Sequence, residues 1–154
     1  MPYAAKTDVS IDRSEGEIKT LLRRHRADSI GTREEGRTAH VAFRLNGRNI
    51  LFTLTLPDPY DDAFRRTDRG NIRASGAAEK AWEQACRSRW RGLLLCIRAK
   101  LESVESGIET FEEAFLAQTV LPTGRTVFEE AAPSVAAAYR GNDVPLLPDY
   151  SRSA

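Results

Sequence analysis

Hydrophobic and polar positions alternate most cleanly between residues 39 and 56. Ala39, Val41, Phe43 and Leu45 are separated by His40, Ala42 and Arg44. Ile50, Phe52, Leu54 and Leu56 are separated by Leu51, Thr53 and Thr55. Asn46-Gly47 lies between the two runs, and both residues tolerate the positive φ that a two-residue hairpin turn demands. The pattern predicts a hairpin with one apolar face that other elements must cover. A first strand over 28–33, joined to the hairpin through a Glu34-Glu35-Gly36 turn, completes a meander. Pro57-Asp58-Pro59 ends the third strand, because proline cannot donate to a ladder.

The flanking segments carry a helical period instead. Ser14-x-x-Glu17 is a capping-box pattern, and Ile18, Leu21, Leu22 and His25 follow it on one face. Residues 77–106 place Trp82, Cys86, Trp90, Leu93, Ile97, Leu101 and Val104 at steps of four or three, with Gly107 as the stop. Gly92 interrupts this long helix, costs about 1 kcal/mol relative to alanine, and suggests close approach of another backbone. A second box, Thr110-x-x-Glu113, opens a short helix with Phe111, Phe115 and Leu116 facing inward. A small hairpin over 119–127 and a last helix over 128–140, broken or kinked at Pro133, complete the chain. Between the sheet and the long helix, residues 58–76 read as an exposed loop rich in arginine and glycine. Loops of this length are functional or disordered.

The expectation is therefore an α+β protein. A three-stranded antiparallel meander packs on an N-terminal helix and a long central helix, with a C-terminal helix/hairpin/helix extension. The 154 residues suit one domain, over 1–148, with a frayed tail at 149–154. No apolar run approaches the roughly 20 residues of a membrane helix. The polar start, Met1 to Ser14, lacks a signal core, so a cytoplasmic location is expected.

Charge adds a second pattern. Residues 65–100 carry 10 basic and 3 acidic side chains, and residues 101–154 carry 3 basic and 9 acidic, although the whole chain is only +1. Arg87, Arg91 and Arg98 share one helical stripe, and Arg65, Arg66 and Arg69 on the preceding loop extend it. Arginine recognises phosphate in bidentate fashion, so these six are the candidate contacts to a DNA or RNA backbone. The competing reading is a solvated or internally paired helix face.

Catalytic chemistry finds little support. Neither Cys86 nor Cys96 has a histidine partner by position, and about 15 Å of helix between them forbids a disulfide. His25 and His40 are scattered, so no metal-ligand spacing exists. Asp58, Asp61 and Asp62 suit turns better than a metal nuclease, because the central strands carry no carboxylate. No phosphate-cradling glycine loop and no Gly-x-Ser-x-Gly occurs. The expectation is a non-enzyme without metal or cofactor. The element order is also that of the double-stranded RNA-binding domain. The chain lacks that module's Gly-Pro-x-His loop and lysine-rich second-helix start.

Several stretches resemble a group of small proteins of tailed phages and prophages. They are Tyr3 to Glu17, Val41-Ala42-Phe43 through Gly47-Arg48 to Leu56-Pro57, and above all Arg89-Trp90-Arg91-Gly92-Leu93-Leu94-Leu95 with Ala99-Lys100-Leu101-Glu102. The likeness continues through Thr110-Phe111-Glu112-Glu113 and Val120-Leu121-Pro122-Thr123-Gly124, covering most of residues 3–148. It implies a phage context and brings no catalytic residue with it. Within that context two functions are expected. One is an accessory protein that contacts nucleic acid through the arginine loop and helix. The other is an anti-defence protein, for example an anti-CRISPR factor, that inhibits a host protein by direct binding. A homodimer is compatible with both, because Leu94 and Leu95 lie off the main stripe of the long helix.

Overall fold

A computed structural model of the chain describes residues 2–147 and 149. The predicted hairpin forms as β2 (Thr38–Leu45) and β3 (Arg48–Thr55), with Leu45 paired to Arg48 across the turn. Asn46 and Gly47 both take positive φ, 50° and 70°, as the turn requires. β1 spans Ser29–Glu35 and pairs antiparallel with β2, giving the order β1-β2-β3. Its turn falls on Gly36-Arg37, two residues later than the acidic pair suggests. Gly36 supplies the left-handed φ of 59° there.

One face of this sheet is apolar and cannot stand in water, and helices cover it. The N-terminal helix, α1 (Ile11–Arg24), contributes Ile18, Leu21 and Leu22. After the short turn α2 (Asp62–Arg65), the long helix α3 (Ser75–Glu105) contributes Trp90, Leu93, Leu94, Ile97 and Leu101. These meet Val41, Phe43, Ile50, Phe52 and Leu54 in one core. Each large side chain buried there contributes about 1.5–3 kcal/mol. α1 and α3 run parallel, since Thr7, Glu17 and His25 meet Gln84, Arg91 and Glu105 in the same order. α3 ends as its sequence predicts. Gly107 turns left-handed at φ 76°, and Ile108 and Gly107 donate to the carbonyls of Ser103 and Val104.

The C-terminal extension closes one end of the core. α4 (Phe111–Ala114) is capped by Thr110, whose hydroxyl accepts from the Glu113 amide. Phe115 follows, fully buried, edge-on to Phe43 and Phe52 at 6.0 and 6.3 Å. Residues 118–120 then lie along the outer edge of β3. Leu51 donates to the Gln118 carbonyl, and Val120 donates to that of Asn49. The small hairpin turns at Gly124, and α5 (Val127–Tyr139) leaves it through a capping box of Thr126 and Glu129.

Five local expectations are corrected. α1 starts at Ile11, capped by Ser10, so Ser14 is an interior residue rather than a cap. Ser14 is buried, and its hydroxyl has no partner among the described residues. Gly92 admits no close neighbour, since a Cβ there would meet nothing within 4 Å. Leu116 points outward at 55% exposure. The 58–76 segment is locally structured. Beyond α2, Arg66 bridges to Ile72, and Arg73 donates to the Arg65 carbonyl at 2.7 Å. Finally, α5 runs through Pro133. Proline leaves the Glu129 carbonyl without its helical donor, and Arg125 Nη2 supplies one at 3.2 Å. The tail expected to fray at 149–154 lies, apart from Asp149, outside the described residues. No described helix is long and apolar enough to cross a membrane.

The two serines give a direct check on where α1 begins. Replacing Ser10 by alanine removes a cap and is expected to cost about 1 kcal/mol. Ser14→Ala removes only a buried hydroxyl without a partner and is expected to be neutral or stabilising. Urea denaturation of both variants decides the matter, and the opposite ranking would return the cap to Ser14.

Candidate functional site

The six arginines singled out by charge do not form one track. Arg87 and Arg91 are engaged within the fold. Arg91 Nη1 donates to Glu17 at 2.6 Å, joining α3 to α1, with both side chains largely covered. Arg87 donates through Nε and Nη2 to Gln84 Oε1. Gln84 Nε2 in turn holds the carbonyls of Ala5 and Thr7, so Arg87 stiffens the clasp on the N-terminal segment. Two further basic residues of α3 do the same on its other side. Arg89 donates to the Thr55 carbonyl at the end of β3, and Lys100 donates to that of Ala114 while lying 5.8 Å from the Phe115 ring centre. Arg91, Arg89 and Lys100 are thus spread around α3 as struts to α1, β3 and α4.

What remains free is smaller. Arg65 and Arg69 are exposed, and their side chains have no hydrogen bond or ion pair among the described residues. Arg66 donates to the Gly70 carbonyl and lies 3.8 Å from Asp62. Arg98 is exposed and free by the same test, but it sits 23 residues beyond the start of α3, about 35 Å along the axis. The structure therefore groups Arg65, Arg66 and Arg69 on one exposed loop and leaves Arg98 alone.

Carboxylates complete the internal network. The Arg91 hydrogen bond holds the Glu17 carboxyl below its ordinary range against the opposing effect of desolvation. Lys19 and Thr32 do the same for Glu15, which ties α1 to β1. Burial pushes the Cys86 thiol up, away from the thiolate a nucleophile needs. Cys96 is exposed and free. His40 faces Thr53 on the open side of the sheet, and His25 closes the end of α1. Among the described residues no three His, Cys, Asp or Glu side chains are placed to hold a metal ion.

The surface that charge did not reveal lies at α5. None of its residues is buried, yet its sequence is largely apolar. Phe128, Ala132, Val135 and Tyr139 fall on one side at steps of four, three and four. Phe128, Val135 and Tyr139 are 64%, 53% and 64% exposed. Among the described residues, backbone hydrogen bonds tie only its first turn to the body, where Val127 and Phe128 donate to the Thr119 and Ala117 carbonyls. Between α5 and the α4 region runs a groove of about 570 Å³, floored by Ala114, Ala117 and Ala132 and walled by Leu116, Phe128 and Val135. Glu109 and Glu113 stand at its rim. The period of this stripe was present in the sequence, but Pro133 conceals it, because the donor that rescues the helix comes from Arg125 outside it.

Comparison with models of protein families, with curated proteins and with solved structures finds no match to this chain.

The strut assignment is testable through Glu17. Its carboxyl titrates below the ordinary 4.5 in the folded chain, so its stabilising contribution is present above that value. The contribution is lost as pH falls through the lowered folded value. Glu17→Gln is expected to lower the melting temperature at neutral pH and to converge on the parent in acid. A pH-independent difference, or none, would remove the Arg91–Glu17 pair from the fold's supports.

Proposed function

We infer that this chain acts by binding another protein, through the α4–α5 face. The observation that carries the reading is the apolar side of α5, left open in a chain that otherwise buries its large aliphatic and aromatic stripes. Contiguous exposed apolar surface rimmed by polar groups marks interaction sites. The internal engagement of Arg87 and Arg91 supports the same choice, because it removes the centre of the expected phosphate track. The resemblance to small phage proteins makes a host defence protein the first partner class to try, with inhibition by direct binding as the mode of action.

A photo-activated cross-linking residue at position 135, in the full chain expressed in bacteria, is expected to yield a discrete protein adduct. The same residue at position 69 is expected to yield none. Adducts at 69 and not at 135 would overturn the reading.

A second reading keeps a specific observation behind it. Arg65 and Arg69 lie on an exposed loop with no hydrogen bond or ion pair among the described residues, and Arg66 beside them is weakly held. Non-specific binding to a nucleic-acid backbone typically has a Kd of about 10⁻⁴ to 10⁻⁶ M, and three clustered cations are not expected to exceed it. Fluorescence anisotropy with short single- and double-stranded DNA at two salt concentrations is expected to stay within that weak range. Tighter, salt-steep binding that is lost on joint replacement of Arg65, Arg66 and Arg69 by alanine would restore nucleic acid as the principal partner.

A further inference from the structure

The groove's chemistry specifies more than a generic protein partner, although the identity of its occupant rests on the protein-binding reading. Its floor is made of alanines, which lets another backbone approach closely. From beyond the end of α4 Leu116 faces Phe128 and Val135, which present apolar knobs along α5, a helix of 13 residues. At about 1.5 Å per residue this is about 20 Å, the length of three to four helical turns. A shape of that kind suits a second helix laid alongside α5, read by residues at i, i+3, i+4 and i+7.

Charge then narrows the occupant. Residues 101–149 carry 9 acidic and 2 basic side chains. At the groove itself the Glu113 carboxylate has no hydrogen-bond partner among the described residues, and Glu109 accepts only from Ser103. Lys100, the one cation lining the groove, is already committed to the Ala114 carbonyl and the Phe115 ring. Both of these partners are neutral and leave the ammonium charge in place, so the groove lining carries two carboxylates against one ammonium and is net negative. A second copy of this chain would bring the same acidic rim against it, and like charges placed together disfavour that pairing. The chain's own Leu146 and Leu147 remain 95% and 82% exposed and so do not fill the groove.

We propose that the α4–α5 groove receives a basic amphipathic helix of a partner protein, its apolar side on Phe128, Ala132 and Val135 and its cations toward Glu109 and Glu113. The complex is held by apolar burial along α5. The acidic rim sets which helices are accepted and their orientation, since the cations must lie on the α4 side.

The test selects helical peptides of about 14 residues from a displayed library on the full chain, with counter-selection on Val135→Asp. Val135 is already half exposed, and an unchanged melting temperature confirms that the variant folds. A synthetic Leu/Lys amphipathic peptide and its Leu/Glu counterpart serve as defined probes. Enrichment of lysine- and arginine-flanked apolar heptads, with the Leu/Lys probe bound at least about tenfold more tightly than Leu/Glu, is the expected result. Joint replacement of Glu109 and Glu113 by glutamine should erase most of that preference while leaving apolar peptides bound. Groove-dependent peptides without basic flanks would overturn the charge assignment and leave the protein-binding reading standing. No groove-dependent peptide at all would overturn both. Sedimentation as a dimer that Val135→Asp dissociates would assign the groove to a second copy instead.

Discussion

A three-stranded sheet with one apolar face is not stable alone, and the arrangement of this chain follows from how that face is covered. α3 lays Trp90, Leu94, Ile97 and Leu101 across it, and α1 fills the space beside α3 with Ile18 and Leu22. Phe115 closes the end against Phe43 and Phe52. Because a single layer of helices does all the covering, α3 must be held at a fixed angle and height. Its polar side chains perform that task, reaching sideways to α1, to the end of β3 and to α4.

That use of charge changes what the segregated sequence means. A segment with ten cations looks like a surface for an anion when only its composition is read. In the fold, Arg87, Arg89, Arg91 and Lys100 each find a carbonyl, amide or carboxylate of the same chain. Contacts of this kind retain geometry as well as charge, since each arginine has a defined acceptor. The acidic third, by contrast, meets few of these cations. Glu129 caps α5 with Thr126, Glu129 and Glu130 pair with Arg125, Glu109 accepts from Ser103, and Glu105 lies 3.7 Å from His25. The basic segment is therefore divided, with Arg87, Arg89, Arg91 and Lys100 engaged in the fold and Arg65, Arg69 and Arg98 left on the surface.

The sheet, the long helix and its glycine stop were legible because each rests on a local rule. These rules are alternation, a positive-φ Asn-Gly pair and an apolar stripe ending at Gly107. The misread positions are those where the deciding partner is remote. Ser14 looks like a cap because Glu17 lies three residues on, but Glu17 is claimed by Arg91, 74 residues away. Pro133 looks like a break because the donor that replaces its missing amide belongs to Arg125. Leu116 follows two buried phenylalanines in sequence, yet α4 ends at Ala114 and the chain turns it outward. The candidate arginines could be found by counting, while their separation into struts and free cations depended on the α1–α3 packing. The groove was invisible for the same reason as the continuity of α5.

The strip of chain at 118–120 that pairs with β3 has an effect beyond positioning α5. A sheet's outer strands expose unpaired amides and carbonyls that can recruit strands from other molecules. Part of the β3 margin is occupied by the chain itself, through Leu51 and Val120. The opposite margin, β1, ends in Arg33, Glu34 and Glu35, with Arg33 and Glu35 paired at 2.9 Å. Charged side chains at such a margin disfavour the addition of an apolar strand. With one margin partly sheathed and the other charged, both edges of the sheet are less open to an added strand from another molecule, even though the apolar side of α5 stays exposed.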